Sequence, residues 1–279
     1  MPFDDRSRIL FGEQGARILA SARVCVWGLG GVGAAAAMDL VRSGVGGIVA
    51  VDFDRVAESN LNRLYFGYRD TVDLPKTDAF ASAARRVNPD VDIRLVGSLV
   101  RGAAAADSIP ADCDFHLDCI DSLNPKVNVL SALLERDLPF ATCMGTAGRL
   151  APERLRVGSL WDSSGCPLAQ RVRQRLRRFG WVRPPSRQEK RAAWLERARA
   201  LEQGLEPEAG PGTPARILAV WTDEPPAPPA PPPDGLRAGQ VVDGVRIRVV
   251  QGSAPFVPQA AGHIMASLAV RSLLGKPDW

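Results

Sequence analysis

The chain has few cysteines, few aromatic residues and no long hydrophobic run. Five of its 279 residues are cysteine and 6% are aromatic, although 46% are hydrophobic. No run approaches the roughly 18 apolar residues that a membrane-spanning helix needs. The N-terminal stretch MPFDDRSRIL carries acids and no apolar signal core. We therefore expect a cytoplasmic protein that has no membrane partner and is long enough to bury a sizeable core.

The cysteines do not form a metal-binding pattern. Their number is odd and no two have C-x-x-C spacing, whereas a structural zinc ion takes four ligands in paired spacing. We therefore expect no zinc. Cys25, Cys119 and Cys143 lie in apolar strand-like runs and are predicted to be buried small hydrophobic residues. Cys166 is predicted to lie in an exposed loop, with a structural or incidental role.

Apolar runs and helical patterns alternate through the first half of the chain. The predicted strands are 23–27, 47–54, 91–97, 114–121 and 139–145, and the predicted helices are 32–43, 76–88 and 125–137. Such alternation indicates a mainly parallel sheet with helices on both faces. Because crossovers between parallel strands are right-handed, the predicted fold is a Rossmann-like, doubly wound α/β fold.

The second half is less regular, and we predict a C-terminal α/β extension over 161–279 that follows a nucleotide-binding domain over 1–160. Further predicted elements are strands 154–162 and 215–224, helices 167–180, 189–204 and 259–274, and a proline-rich loop at 225–233. The helix from 167 is strongly basic. The proline tract is expected to be extended, since proline favours the polyproline conformation.

A glycine-rich turn joins the first predicted strand to the first predicted helix. Gly28, Gly30, Gly31 and Gly33 allow a tight turn and close approach of phosphates to the helix N-terminus. The turn suits NAD, FAD or ATP, and a tight turn without a ligand also fits. Asp52, at the end of the next strand, has the position of an acid that accepts from ribose hydroxyls.

Polar residues after the second strand discriminate between these ligands. Arg63 and Lys76 are cations that hydride transfer does not need, whereas attack on an α-phosphate develops charge that cations stabilise. Asp121 ends the fourth strand and can hold Mg²⁺ that bridges phosphates. Each residue alone could be a surface charge or a helix cap. Their joint placement at strand ends favours ATP with Mg²⁺.

This set of residues resembles the adenylation domain of the ubiquitin-activating enzyme superfamily, over roughly residues 5–150. The resemblance implies that Asp52 binds ribose and that Asp121 binds Mg²⁺. It also implies phosphate contacts from Asn62, Arg63 and Lys76, and the predicted nucleotide-binding set further includes Asp54, Asn60 and Ser122. Asp54 could instead be a capping residue. Arg8 matches a family arginine that reaches the partner subunit's site, which implies a homodimer.

Three stretches, 8–13, 166–173 and 252–262, resemble the tRNA threonylcarbamoyladenosine dehydratase family. This resemblance implies that the carboxylate of a modified tRNA adenosine is adenylated and that ring closure then expels AMP, a net loss of water. No protein nucleophile is required. This agrees with the lack of a catalytic Cys–His pair, because Cys166 has no nearby histidine and His116 and His263 lie in apolar runs predicted to be core.

Three other functions remain open. The first is adenylation of the C-terminal glycine of a ubiquitin-like sulfur-carrier protein, and a sulfur-transfer protein is a further candidate partner. The second is a non-catalytic, nucleotide-binding regulatory protein, and the third is a dehydrogenase. A basic block at 171–191 favours tRNA as a partner, because clustered arginines contact phosphates. A solvated helix face would have the same composition. The block contains Arg171, Arg173, Arg175, Arg177, Arg178, Arg183, Arg187, Lys190 and Arg191 against Glu189.

Overall fold

The computed structural model describes residues 3–97, 108–186, 188–189, 212–230, 241–242, 245–246 and 251–276. The helices in these residues are α1 (Asp5–Ser21), α2 (Gly31–Arg42), α3 (Lys76–Arg85), α4 (Leu123–Glu135), α5 (Pro167–Arg178) and α6 (Phe256–Leu273). The strands are β1 (Arg23–Trp27), β2 (Gly47–Val51), β3 (Asp92–Val96), β4 (Phe115–Asp118), β5 (Phe140–Cys143), β6 (Leu155–Ser159), β7 (Trp181–Val182), β8 (Thr213–Pro214), β9 (Leu218–Thr222), β10 (Val241–Val242) and β11 (Val245–Arg246).

The main sheet of the described residues has seven strands in the order β3-β2-β1-β4-β5-β9-β6. Every neighbouring pair is parallel except β6 and β9, which are antiparallel. The order turns outward in both directions from β1, as doubly wound folds do. The predicted α/β class is therefore confirmed, with most strands ending a few residues earlier than predicted.

The central strands are buried on both faces, which explains why they were recognisable as continuous apolar runs. Along β1, Val24 and Val26 join the core beneath α2, α3 and α6, while Cys25 and Trp27 join the core beneath α4. Helices therefore cover both faces of the sheet.

Helix α6 packs directly on α2. A Cβ atom at Gly262 would lie 2.4 Å from the carbonyl oxygen of Val32 and 2.7 Å from Cβ of Ala35, so only glycine fits there. This contact brings the C-terminal part of the chain against the first turn of α2. The boundary predicted at residue 160 stays a prediction, although β9 and α6 both pack in the layers of the main sheet.

Two predictions, the exposure of Cys166 and the burial of His263, were wrong. Cys166 is buried, 5% exposed, because it lies directly before α5, where that helix packs on the loop after β5. His263 is exposed on α6, with its side chain 48% accessible and in close contact with Asp39. By contrast, the structure confirms the predicted burial of His116, Cys25, Cys119 and Cys143.

Some predictions lie outside the described residues. These are almost all of the predicted helix at 189–204 and the last part of the proline tract at 225–233. None of the helices that the structure describes is long and apolar enough to cross a membrane.

Candidate functional site

The glycine turn connects β1 to α2 at the carboxyl edge of the sheet. Gly28 has a φ of +88°, which favours glycine, and a Cβ atom at Gly33 would lie only 1.8 Å from the carbonyl oxygen of Gly28. A Cβ atom at Gly30 would meet nothing within 4 Å. The turn is therefore tightly packed on its inner side and open at Gly30, an arrangement that lets a phosphate approach the backbone.

Asp52 braces this turn from the end of β2. Its carboxylate accepts from the backbone N–H of Leu29 at 2.6 Å and from that of Asp54 at 2.8 Å. Burial raises the pKa of Asp52, while Lys76 and these two backbone donors act in the opposite direction. The carboxylate thus has a structural task beside its predicted contact with ribose.

Lys76 is the first residue of α3 and is nearly buried. Its Nζ lies 2.8 Å from Oδ2 of Asp54 and 3.9 Å from Oδ1 of Asp52. The side chain of Asp54 is half exposed, at 51%. The structure therefore brings Asp52, Asp54 and Lys76 together beside the glycine turn. Their contacts with a nucleotide stay a prediction.

The segment that contains Asn60, Asn62 and Arg63 lies over the outer side of the turn. A Cβ atom at Gly31 would lie 3.3 Å from Cγ of Arg63. The guanidinium donates to the carbonyl oxygen of Ser59 at 2.7 Å and to Oδ1 of Asn62 at 2.9 Å. Arg63 is therefore near the turn, with its charge not paired to a carboxylate among the ion pairs of the described residues.

The two asparagines mainly hold the backbone of this segment. Asn60 accepts from the N–H of Ala57 at 3.2 Å, which closes a short helical turn at Glu58–Asn60. Asn62 donates to the carbonyl oxygen of Ser253 at 2.7 Å. This second contact joins the segment to the loop before α6, a long-range link that the sequence did not predict.

Asp121 and Ser122 lie between β4 and α4, on the other side of the turn. Both are exposed, and Ser122 Oγ donates to Asp121 Oδ1 at 3.3 Å. A Cβ atom at Gly28 would be 3.2 Å from the carbonyl oxygen of Cys119, so this loop directly flanks the turn.

The carboxylate of Asp121 suits Mg²⁺, which is commonly held by one or two carboxylates together with phosphate oxygens. Within the described ranges no group of three or more His, Cys, Asp or Glu side chains could hold a metal by itself. A magnesium ion here would take its other oxygen ligands from water and from a bound nucleotide, in addition to Asp121.

Arg8 is not part of this cluster. It lies in α1, where its guanidinium contacts Asp4 at 2.9 Å and Glu13 at 3.5 Å. Among the residues described in this single chain, these are its ionic partners. Its predicted contact with a partner subunit stays a prediction.

A buried polar cluster behind Asp121 was missed from the sequence. Lys126 and Asp118 are both inaccessible, with Nζ 2.5 Å from Oδ2, and Thr142 donates to the same carboxylate oxygen at 2.6 Å. Lys126 shares a helical face with Leu130 and Leu133, which are buried. A lysine within an otherwise apolar helical face was the sequence feature that could have indicated this buried cluster.

The basic helix α5 presents several exposed arginines. Arg173 is an exception, because its guanidinium turns inward to the carbonyl oxygen of Ser163 at 2.8 Å, and Arg177 lies over the ring of Trp161. In the part of the chain that the structure describes, no ion pair involves the exposed Arg171, Arg175 or Arg178. Arg187, Lys190 and Arg191 lie outside the described residues.

Comparison with protein families gives one match that covers most of the chain. The model of the ThiF family matches residues 5–278. Among curated proteins, tRNA threonylcarbamoyladenosine dehydratase of Escherichia coli is 34% identical over 175 residues, which cover 62% of this chain and 65% of the relative. That alignment spans less than two thirds of the relative. Molybdopterin-synthase adenylyltransferase of E. coli is 39% identical over 156 residues, 56% of this chain and 61% of that protein.

A solved structure resembles almost the whole chain. The crystal structure of E. coli tRNA N6-threonylcarbamoyladenosine dehydratase in complex with ATP has a TM-score of 0.77 and 25% sequence identity. The superposition covers 98% of this chain and 94% of that one. The similarity therefore includes both the sheet with its glycine turn and the C-terminal part.

Proposed function

The chain belongs to the ThiF family, and on that premise we propose that it uses ATP and Mg²⁺ to adenylate a carboxylate. The observation that carries the proposal is the set of charged groups around one glycine turn, with Lys76 and Arg63 on one side and Asp121 on the other. Such a set is suited to phosphoryl chemistry, in which cations stabilise developing charge.

The proposed nucleotide lies along the carboxyl edge of the sheet. Its phosphates approach the backbone of Gly28–Gly33 where Gly30 leaves open space, and its ribose meets Asp52 at the end of β2. Asp54, Asn60, Asn62 and Ser122 line the same edge and complete the proposed binding set.

In the proposed reaction, an oxygen of the substrate carboxylate attacks the α-phosphorus of ATP. The bond from that phosphorus to the bridging oxygen breaks, and pyrophosphate leaves. Arg63 and Lys76 stabilise the negative charge that develops on the phosphates. Asp121 would hold Mg²⁺, which would neutralise phosphate charge.

We propose a modified tRNA nucleoside as the source of the carboxylate. Support comes from the 94% coverage of the ATP-bound dehydratase structure and from the exposed arginines of α5. The carbamoyl group of the threonylcarbamoyl modification then attacks the activated acyl carbon, a ring closes and AMP leaves. The substrate has lost the elements of water, and no protein nucleophile takes part, in agreement with the burial of Cys166.

The proposed assembly is a homodimer in which each subunit supplies Arg8 to its partner's site. Within one chain the ion pairs of Arg8 among the described residues are with Asp4 and Glu13 of its own segment, and the resemblance to a family arginine that reaches the partner subunit's site supports this role. The adenylation domain over 1–160 and the extension over 161–279 would then contribute the nucleotide site and the tRNA surface, respectively.

A sulfur-carrier protein is the second candidate substrate. It is favoured by the 39% identity to molybdopterin-synthase adenylyltransferase. In that case the attacking carboxylate is the C-terminal glycine of a small protein, and pyrophosphate release depends on that protein and not on RNA. A sulfur-transfer protein would then be a further partner.

The adenylation step is tested by pyrophosphate release in Arg63→Ala and Asp121→Ala. Loss of a charged transition-state contact lowers the rate by at least about 100-fold, and we expect this in both variants without a change in melting temperature. Arg85→Ala is the matched control, because Arg85 is exposed at the other end of α3. Wild-type release by Arg63→Ala or Asp121→Ala would refute the site assignment.

A further inference from the structure

The buried cluster of Asp118, Lys126 and Thr142 lies between two strand ends and the first turn of α4. Both charged side chains are completely inaccessible. Removing two ions from water is costly, and well-packed apolar residues often stabilise a fold as much as a buried ion pair does. Stability alone therefore gives no reason for an ion pair at this position, and its contacts indicate what it holds.

Two side-chain contacts lead out of the cluster to backbone groups at the ends of β4 and β5. Asp118 Oδ1 accepts from the N–H of Ile120 at 3.1 Å, one residue before Asp121. Lys126 Nζ donates to the carbonyl oxygen of Cys143 at 2.9 Å, at the end of β5. The backbone N–H of Lys126 donates to the carbonyl oxygen of Ser122 at 3.2 Å. The side chains of the cluster thus restrain the loop that carries Asp121 at its β4 end, whereas the bond to Ser122 is the backbone hydrogen bond with which α4 begins.

Asp118 can hold this loop only while its other oxygen is satisfied. Oδ2 accepts from Lys126 and Thr142, which leaves Oδ1 directed at Ile120. The exposed carboxylate of Asp121, by contrast, is touched only by Ser122 among the hydrogen bonds of the described residues. Its position therefore depends on the backbone that the cluster restrains.

We propose that Asp118, Lys126 and Thr142 are positioning residues that place Asp121 to meet a nucleotide-bound Mg²⁺. The inference rests on the proposed function, because it assigns Mg²⁺ to Asp121. Residues that orient a metal ligand typically change metal affinity by about 10- to 100-fold when they are lost. We expect the cluster to act in that range.

Two double variants separate positioning from the presence of the ion pair. Asp118→Asn with Lys126→Met, and Asp118→Leu with Lys126→Met, both remove the buried charges. Only the first retains an oxygen that can accept from the N–H of Ile120. Calorimetric titration of ATP at increasing Mg²⁺ concentrations measures the coupling between metal and nucleotide without turnover. Hydrogen exchange of the peptide that contains Ile120 measures the restraint on the loop.

For the Leu/Met variant we expect about a tenfold increase in the Mg²⁺ concentration that half-maximally strengthens ATP binding. Exchange at Ile120 should be faster, and ATP affinity without Mg²⁺ unchanged. The Asn/Met variant should stay within about twofold of wild type, since the acceptor remains. Equal Mg²⁺ dependence and equal exchange in the two folded variants would overturn the proposal.

If the Leu/Met variant does not fold, Thr142→Val decides, since it removes one donor to Asp118 and keeps the ion pair. A smaller increase in the same direction supports positioning, and an unchanged Mg²⁺ dependence overturns it. Wild-type protein whose ATP binding is indifferent to Mg²⁺ would refute the proposed function, and this inference with it. A failure of positioning alone would leave the wild-type Mg²⁺ dependence intact.

Discussion

Two alanine substitutions in the glycine turn are expected to have opposite effects on folding and on nucleotide binding. At Gly33, a Cβ atom would lie 1.8 Å from the carbonyl oxygen of Gly28, far inside van der Waals contact. Backbone atoms on both sides must move by about 1 Å, and overpacking of this kind typically costs about 1–3 kcal/mol. At about 2–4 °C per kcal/mol for a large domain, the melting temperature of Gly33→Ala should fall by about 2–12 °C.

Gly30→Ala tests the open side of the same turn. Gly30 has a φ of −74°, which alanine adopts readily, and its Cβ atom would meet nothing within 4 Å. Its stability should therefore be unchanged or higher by up to about 1 kcal/mol. The added methyl group projects into the space proposed for phosphate. Loss of one hydrogen bond to a charged group costs about 1.5–3 kcal/mol, so ATP should bind at least about tenfold more weakly.

Circular dichroism melts and calorimetric titration with ATP measure the two effects separately. Gly33→Ala should melt early, whereas Gly30→Ala should melt like wild type and bind ATP poorly. The reasoning would be refuted if Gly30→Ala bound ATP as tightly as wild type, or if Gly33→Ala were as stable as Gly30→Ala.

Three further predictions concern other parts of the molecule. Burial lowers the pKa of His116 from 6.5 to about 4, so protonation favours the unfolded chain. The free energy of unfolding should therefore fall by up to about 3 kcal/mol between pH 6.5 and 4. In urea melts His116→Gln should lack this pH-dependent loss, and a pH profile identical to that of wild type would contradict the prediction. Replacing the exposed Arg171, Arg175 and Arg178 by alanine should weaken tRNA binding. The dependence of the binding constant on salt concentration should decrease by an amount that corresponds to up to about three phosphate contacts. An unchanged salt dependence would exclude α5 as the contact surface. Mixtures of Arg8→Ala and Lys76→Ala subunits should recover pyrophosphate release that neither variant has alone, because one site of each hybrid is complete; no recovery in verified hybrid dimers would exclude a shared site.

The central strands were predictable because they are buried on both faces. Residues 24–27 and 47–51 are buried and carry no polar side chain, and the glycine turn follows the first of these strands. Asp52 and Asp121 were predictable at the same edge of the sheet because parallel strands end at a common edge. Lys76 was placed correctly for the same reason, since it begins the helix that follows β2.

The insertion of β9 between β5 and β6 was not predictable from the sequence. Its neighbours are separated from it by long segments, and strand order depends on packing that local composition does not encode. The predicted exposure of Cys166 and the predicted burial of His263 were wrong for a related reason. A short polar segment made Cys166 look exposed, and apolar neighbours made His263 look buried, but helix packing decides which side of each segment is covered. Lys126 was missed because its partner Asp118 lies in the preceding strand.

The most direct test of the account is the product formed on tRNA. Purified protein is incubated with ATP, Mg²⁺ and tRNA that carries threonylcarbamoyladenosine, and the nucleosides are analysed by mass spectrometry. Tests with unmodified tRNA and with Arg63→Ala are the controls. We predict that the modified adenosine loses one water as AMP and pyrophosphate form in equal amounts. An unchanged nucleoside, alongside pyrophosphate release that depends on a sulfur-carrier protein, would contradict it.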